Sequence, residues 1–337
     1  MRGNTGIPTP NRAVMSRSEH VTLLLASYQG EAYLKQQLTS LAAQSHPDWS
    51  LIVGDDGSRD RTAAIVQEFA ATQPAGRVTM IKGPQAGATQ NFLNLLEAAP
   101  SGTAIAFCDQ DDVWLPHKLE HALEFLRKTE RPAHYAARTI ICDSNMTPLT
   151  HSRRFTRPLG FRNASVQACM AGNTSVFNPA AAELLKAAAP AARAMRILSH
   201  DWWAYQITSG AGAALYHDPR PALYYRQHGR SEVGRNDTLR AMAARAVTLF
   251  AGDFGEWLAR NHQALRDAPI PFTSENRHLL DRFEDVLIMP GPKAARQIGR
   301  LGLYRQTRAG TVALIGAALA GRLRAGSSED HEKHCHD

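Results

Sequence analysis

The sequence predicts an α/β protein built on a mostly parallel sheet, with a mixed-sheet half after it and a helical C-terminus. Three observations carry this reading. Apolar, strand-like runs alternate with amphipathic stretches from Val21 to Cys142. Polar clusters fall at the C-terminal ends of those runs, where parallel sheets bind their ligands. The chain of 337 residues, 44% hydrophobic and 20% charged, is large and apolar enough to bury a full core.

Residues 1–19 mix Gly, Pro, Asn and Arg without periodicity and read as a disordered leader. VTLLLAS from Val21 is the first strand, and Leu34, Leu38 and Leu41 then mark one face of a helix. LIVGDD is the second strand, followed by a helix with Ile65 and Phe69. VTMIK, the helix NFLNLLEAA, the strand TAIAFCD, the helix LPHKLEHALEFLRK and the strand AHYAARTIICD continue the alternation. Strand, helix, strand units imply parallel pairing with helices on both faces. Beyond residue 150 the pattern changes. It gives an Arg-rich loop, a strand near Thr174 to Phe177, helices from Pro179 and from His200, and short strands near Ala213 to Tyr216 and Ala222 to Tyr225. From Thr238 the chain reads as mostly helical. The expected division is 20–235 for the α/β unit, in halves 20–150 and 151–235, then 236–325 for a helical extension and 326–337 for a disordered tail.

Cys108, Cys142, Cys169 and Cys335 lie far apart and form no CxxC pair, which argues against a disulfide scaffold and a zinc ribbon. The longest apolar run, Thr311 to Ala320, is about half of the roughly 20 residues a bilayer span needs. A cytoplasmic protein is expected. The formal charge of +7 favours an anionic partner.

The strongest chemical signal is Asp109-Gln110-Asp111-Asp112, directly after the apolar run AIAFC. Asp109 and Asp111 stand two residues apart, and like charges this close repel unless a cation lies between them. Mg²⁺ prefers one or two carboxylates together with substrate phosphates. A solvated turn capping the next helix would need only one acid, so the quartet weighs towards a ligand site. Asp55-Asp56-Gly57-Ser58 also ends a buried strand, where a carboxylate can accept from a nucleobase N–H or a ribose hydroxyl. No GxGxxG follows the first strand, and no GxxxxGK[ST] occurs anywhere.

The run from ASYQGEAYLKQQLTSLAAQ to LIVGDDGSRDRT, then GATQNF, FCDQDDVWLPHKLE, AGNTSVFN, HDWWAYQ and YYRQHGRSEVG, resembles the family 2 glycosyltransferases with a GT-A fold. Within them it is most similar to the rhamnosyltransferases of surface-polysaccharide synthesis. The resemblance spans Val21 to Gly234 in order, and ordered motifs are far more specific than any lone one. It implies a Rossmann-like, nucleotide-sugar-binding sheet and an inverting transfer from a nucleoside-diphosphate sugar, dTDP-rhamnose or a UDP-sugar, to a hydroxyl of a glycan or lipid-linked acceptor. Ser27, Tyr28, Glu31, Asp55, Asp109 and Gln110 would hold the nucleotide sugar, with Gly87 and Asn91 in the third loop. Asp111 and His228 would hold Mg²⁺ or Mn²⁺. Asp201 would take the acceptor proton as general base. Each has a plainer role beside it: a helix cap for Asn91, a charge at a helix N-terminus for Asp201, a structural imidazole for His228. Arg230, Ser231 and Glu232 depart from the branch's usual residues.

Two other classes compete. A nucleotidyltransferase also uses paired acids and a divalent ion, but wants a basic Gly-rich loop after the first strand. Here that loop is Ser27-Tyr28-Gln29-Gly30-Glu31, with no Lys or Arg. A basic module for nucleic acid would concentrate its charge on the α/β unit, yet that unit carries the acidic motifs; no nucleic-acid partner is expected. The basic residues of 293–324 alternate with Ile298, Leu301, Leu303, Val312, Leu314, Ile315 and Leu319. Such helices either lie against an anionic membrane, making the protein peripheral at its inner face, or fold back on the catalytic unit.

Overall fold

A computed structural model of the chain describes residues 20–227 and 253–324. The expected leader, His228, Arg230 to Glu232, the first part of the helical extension and the tail lie outside the described residues. Within them the elements run β1 (Val21–Ser27), α1 (Leu34–Ala42), β2 (Trp49–Asp55), α2 (Thr62–Ala71), β3 (Val78–Lys82), α3 (Ala88–Ala98) and β4 (Ala104–Asp109). Then follow β5 (Val113–Trp114), α4 (Lys118–Leu126), β6 (Ala133–Cys142), β7 (Pro148–His151), α5 (Phe161–Ala164), a 3₁₀ turn at Gly172–Thr174, β8 (Val176–Phe177), α6 (Pro179–Ala194), α7 (His200–Gly210) and β9 (Ala214–Arg226). Four helices close the described chain: α8 (Asp253–Asp267), α9 (Ser274–Ile288), α10 (Gly291–Arg300) and α11 (Arg308–Leu319).

All the strands share one sheet, ordered β3-β2-β1-β4-β8-β6-β9-β5, with β7 paired to β6. The first four are parallel. Beyond β4 the sheet is mixed, because β8 runs antiparallel to both β4 and β6 while β6 and β9 are parallel. This is the α/β arrangement expected from the sequence. β1 lies between β2 and β4, under helices on either side, and is buried throughout, which is why it reads as a continuous apolar run. One face carries α1, α2 and α4 over Leu23, Leu25 and Val53. The other carries α3, α6 and α7 over Leu24, Ile105 and Phe107.

Two expectations are corrected. The two short strands placed around Ala213 to Tyr225 are one strand, β9. A bulge shifts its register with β6 between Ala137 and Thr139, where Pro219, Arg220 and Ala222 fall between paired positions and Pro221 stays opposite Arg138. Buried Asp218 braces it, accepting from Tyr135 Oη at 3.0 Å and from the Arg220 backbone N at 2.8 Å. The strand near Thr174 begins only at Val176, Thr174 belonging to the 3₁₀ turn. Of the two readings of the C-terminal helices, Ile298, Leu301, Leu303 and Leu314 follow the one that folds them back, and they join Leu24 and Trp202 in one core. α8 seals this contact through Phe254, stacked on Trp202 at 5.8 Å. At the foot of α9, Thr273 N donates to Gly210 O at 3.1 Å.

Candidate active site

The register of the parallel strands builds one wall of the site. Ser27 lies opposite Asp55, and Ala26 lies opposite Gly54 on one side and Asp109 on the other. The three strands therefore end level, which brings Ser27, Asp55 and Asp109 to one edge. The helices that follow β1, β2 and β4 lie on one face of the sheet and α3, which follows β3, lies on the other, so loops from both faces meet at this edge.

The loops over that edge are stitched together. Gln29 N donates to Ser58 Oγ (2.9 Å), Gly30 N to Thr62 Oγ1 (2.8 Å) and Glu31 N to Asp60 Oδ2 (3.0 Å), so the loop after β1 is held to the loop after β2. Asp55 accepts from Ser58 Oγ at 2.5 Å and Ser58 N at 3.2 Å, which fixes its carboxylate at the strand end. Asp56 turns inward and braces the third loop, accepting from Gln85 N at 2.6 Å and Gly87 N at 2.9 Å. Gly87 has φ +90°, a conformation that favours glycine, and stands directly before α3. Asn91 lies a full turn inside α3, buried, with its amide donating to Gly54 O at 2.7 Å. It neither caps the helix nor reaches the surface. It supports the end of β2 from beneath.

The acidic quartet divides by direction. Gln110 clasps the loop after β1, accepting from Tyr28 N at 3.0 Å and donating to Tyr28 O at 2.9 Å, while the Tyr28 ring stays exposed. Asp112 points into the protein, where Asn173 Nδ2 donates to it at 2.8 Å. Burial, reinforced by the negative charges of Asp111 and Asp109, drives its carboxyl well above the usual range. Lys118, buried beside it, donates to Asn173 O at 2.6 Å and sits over the Trp114 ring at 3.1 Å. Burial pushes its amine down to about 7. Asp109 and Asp111 remain as the pair at the edge.

Arg226, buried at the end of β9, was passed over in the sequence. Its Nε donates to Asp111 O at 3.1 Å, Nη1 to Ser144 O at 2.8 Å and Nη2 to Gln36 Oε1 at 2.5 Å, with the guanidinium over the Tyr33 ring at 4.6 Å. It thus ties the acidic turn to α1 and the mixed half of the sheet. The only signal for it was its position in YYRQHG.

Asp201 joins this wall although about 90 residues separate it from Asp111. Ser199, the N-cap of α7, donates to its carboxylate, as do Trp202 N at 2.6 Å and Gly172 N at 3.2 Å. Gly172 precedes Asn173, the partner of Asp112. Two consecutive residues of the 3₁₀ turn thus bridge the acidic turn to the start of α7, and Gly172 has no room for a side chain, since a Cβ there would meet His200 Nε2 at 2.7 Å. His200 stacks on Phe92 at 3.9 Å, and burial lowers its imidazole to about 4, so it is neutral. Thr89 Oγ1 donates to Leu198 O at 2.8 Å, linking the third loop to the same corner.

Among the described residues no group of three His, Cys, Asp or Glu side chains forms a closed metal cage. The donor set suits an ion that takes its remaining ligands from substrate. Asp109 and Asp111 offer carboxylates from one turn, and Asp112 feels both charges, which places a concentrated negative field there. Mg²⁺ and Mn²⁺ fit such oxygen donors with phosphates completing the shell.

A level edge of acids over a parallel sheet, tied through the 3₁₀ turn to a helix-borne carboxylate, is an α/β strand-end site. Residues 22–182 match the family described as Glycosyl transferase family 2, and the protein is a glycosyltransferase carrying a domain of that family. The dTDP-rhamnosyl transferase RfbG of Shigella flexneri is 27% identical over 222 residues, 64% of this chain and 76% of its own. The UDP-Glc:alpha-D-GlcNAc-diphosphoundecaprenol beta-1,3-glucosyltransferase WfgD of Escherichia coli is 29% identical over 126 residues, 37% of this chain and 48% of its own. Among solved structures, S. aureus TarS in complex with UDP-GlcNAc aligns over 93% of this chain and 91% of its own, with 14% identity and a TM-score of 0.49.

Proposed function

We propose that the protein moves a sugar, with inversion, from a nucleoside-diphosphate sugar to a hydroxyl of a glycan or lipid-linked acceptor in cell-surface polysaccharide synthesis. One observation carries this reading: Gly172 and Asn173 bind Asp201 and Asp112 side by side, so a carboxylate that can serve as base shares a corner with a diphosphate-binding edge.

The Tyr28 ring, exposed above the crevice, offers a face to the nucleobase, and Asp55 accepts from the base N–H. Glu31 and Asp109 stand for the ribose hydroxyls. Ser27 and Gln110 shape the crevice floor, and Gly87 and Asn91 shape the third loop and the strand beneath it. Asp111, with Asp109 beside it, would hold Mg²⁺ or Mn²⁺, and His228 is the further ligand that the motif suggests. When bound, the ion offsets the charge that gathers on the diphosphate as the glycosidic bond breaks.

Asp201 acts on the other substrate. Its carboxylate accepts two backbone N–H groups and one hydroxyl, contacts that fix its direction. It takes the proton of the acceptor hydroxyl as that oxygen attacks the anomeric carbon from the face opposite the diphosphate. The new bond forms as the old one breaks on the far side, which inverts the centre.

The name of RfbG specifies a dTDP-rhamnosyl donor and that of WfgD a UDP-Glc donor with a diphosphoundecaprenol-linked acceptor, which supports thymidine or uridine sugars as donors and a lipid-linked acceptor. No helix of the described residues is long and apolar enough to cross a membrane. Cys108, Cys142 and Cys169 are buried free thiols, which supports a reducing, cytoplasmic setting. The test is a panel of thymidine, uridine and guanosine diphosphate sugars, with Mg²⁺ or Mn²⁺, read as nucleotide release. Release from one donor only, raised by an acceptor glycan, is the expected result. Release from none, with the folded protein in hand, refutes the reading.

A further inference from the structure

The inward face of α11 is accounted for by the core, but its outward face is not. Val312 is 68% exposed and Leu319 53% exposed. Ala309 and Ala320 are exposed as well, and Ile315 and Gly316 are half-buried between them. At helical spacing these positions share one side, so the outer surface of α11 is apolar from end to end. No charged residue occurs from Ala309 to Gly321. Arginines bracket the stretch: Arg308 is exposed at its start, Arg322 and exposed Arg324 at its end.

Beside the first turn of α11 lies an open groove of about 560 Å³, lined by Arg157, Arg308, Thr311 and Val312. Arg157 is fixed there, donating from Nη1 to Arg305 O at 2.8 Å and lying over the Tyr304 ring at 4.2 Å. The groove therefore sets two guanidinium groups against an apolar wall. From Gly291 to Arg324 the chain carries Lys293, Arg296, Arg300, Arg305, Arg308, Arg322 and Arg324 and no acid at all.

We propose that this face of α11, with the Arg157 and Arg308 groove, is a docking surface for an anionic phospholipid bilayer. The occupant follows from the chemistry. An apolar strip with arginines at both ends matches the boundary between acyl chains and phosphate headgroups, where each basic side chain meets a phosphate and the strip enters the hydrocarbon edge. A second copy of this chain would bring the same unrelieved positive charge against itself. At 12 residues α11 is about 18 Å long, so it lies on the membrane and does not cross it.

The surface also bears on the catalytic corner. The turn between α10 and α11 is bound to α5 and the segment before it, since Arg157 N donates to Gln306 Oε1 at 3.1 Å and Asn163 Nδ2 to Tyr304 O at 3.0 Å. α5 in turn meets α7, the helix of Asp201, through Trp202 Nε1 donating to Ala164 O at 2.6 Å. Docking through α11 holds the acceptor side of the site at a membrane.

Vesicle flotation of the full chain tests this without any turnover, so its failure and the failure of the transfer reading are distinguishable. The wild type is expected to float with vesicles of mixed phosphatidylcholine and phosphatidylglycerol, and to be released at about 1 M salt, where the Debye length is about 3 Å. Val312→Glu combined with Leu319→Glu is expected to lower partitioning at least about tenfold, and Arg308→Gln about fivefold. All three positions are exposed, so the melting temperature of each variant stays at the wild-type value and nucleotide release in solution is unchanged. Three outcomes overturn the proposal: no flotation of the wild type, which leaves an acidic protein as the occupant; equal flotation of the double variant; or equal flotation with phosphatidylcholine alone.

Discussion

Asp111 and Asp201 face opposite charge problems, and single substitutions separate them. Asp111→Asn removes one charge from the pair proposed to hold the cation while keeping the turn, whose geometry rests on the Asp111 backbone carbonyl and Arg226. Metal-stimulated turnover should disappear, and Mn²⁺ affinity measured by calorimetry should fall with it; wild-type activity undiminished in excess EDTA would remove the ion from the mechanism. Asp201→Asn should leave donor affinity nearly intact and lower kcat by roughly 10² to 10⁴, the usual weight of a general base. If donor affinity and rate fall together, Asp201 is a helix-terminal charge and nothing more. Arg226 is a positioning residue, and Arg226→Lys loses the fork that reaches Asp111 O, Ser144 O and Gln36 at once. A drop in kcat of roughly tenfold or more, with the melting temperature nearly unchanged, is expected.

Strand ends were the legible elements, because a buried parallel strand is a solid apolar run and whatever polar residue follows it must lie at the ligand edge. That reasoning located Ser27, Asp55 and Asp109 without a structure. It could not say which neighbours turn inward. Asp112 and Asp111 look alike in sequence, yet one is buried against Asn173 and Lys118; Asn91 suited either a cap or a contact and is neither. The partners that decide these cases, Asn173 and Gly54, are 61 and 37 residues away in the chain. The division of β9 into two short strands has a related cause, since the bulge beside Asp218 depends on pairing with β6, about 80 residues earlier in the chain. Gly54 shows how tight the inward packing is: a Cβ there would lie 2.3 Å from Asn91 Oδ1 and 3.1 Å from Leu95 Cγ. Gly54→Ala should therefore destabilise the fold by about 1–3 kcal/mol, read as a lower urea midpoint. A neutral result would mean that α3 can move away from β2.

At the scale of the whole molecule, the helical C-terminus was half legible. Alternating apolar and basic residues announced amphipathic helices, but helical spacing alone does not tell a core from a membrane. The structure places one face of these helices in the core, and it holds a second feature that sequence does not expose: histidines buried in neutral form. His134 lies between Thr208 Oγ1 and Ser175 Oγ, and burial lowers it to about 3. His262 packs on Phe283 at 5.7 Å with no hydrogen-bond partner for either ring nitrogen, and burial, with Arg266 nearby, lowers it to about 4. An unfolded histidine protonates below about 6.5, so between that pH and 4 the unfolded chain binds protons that the folded one refuses. Stability falls across this window as pH falls, by about 3 kcal/mol for each of the two residues by pH 4, against a total of roughly 5–15 kcal/mol for a folded domain. Carboxylates titrate over the same range, so the slope alone does not identify its source. His262→Phe does, because phenylalanine matches the ring, suits the apolar contact with Phe283 and has no proton to gain. Urea unfolding of the variant should match or exceed wild-type stability at pH 7 and surpass it by about 3 kcal/mol at pH 4. A wild-type slope that persists in the variant would show that His262 takes up its proton without unfolding the helices around it.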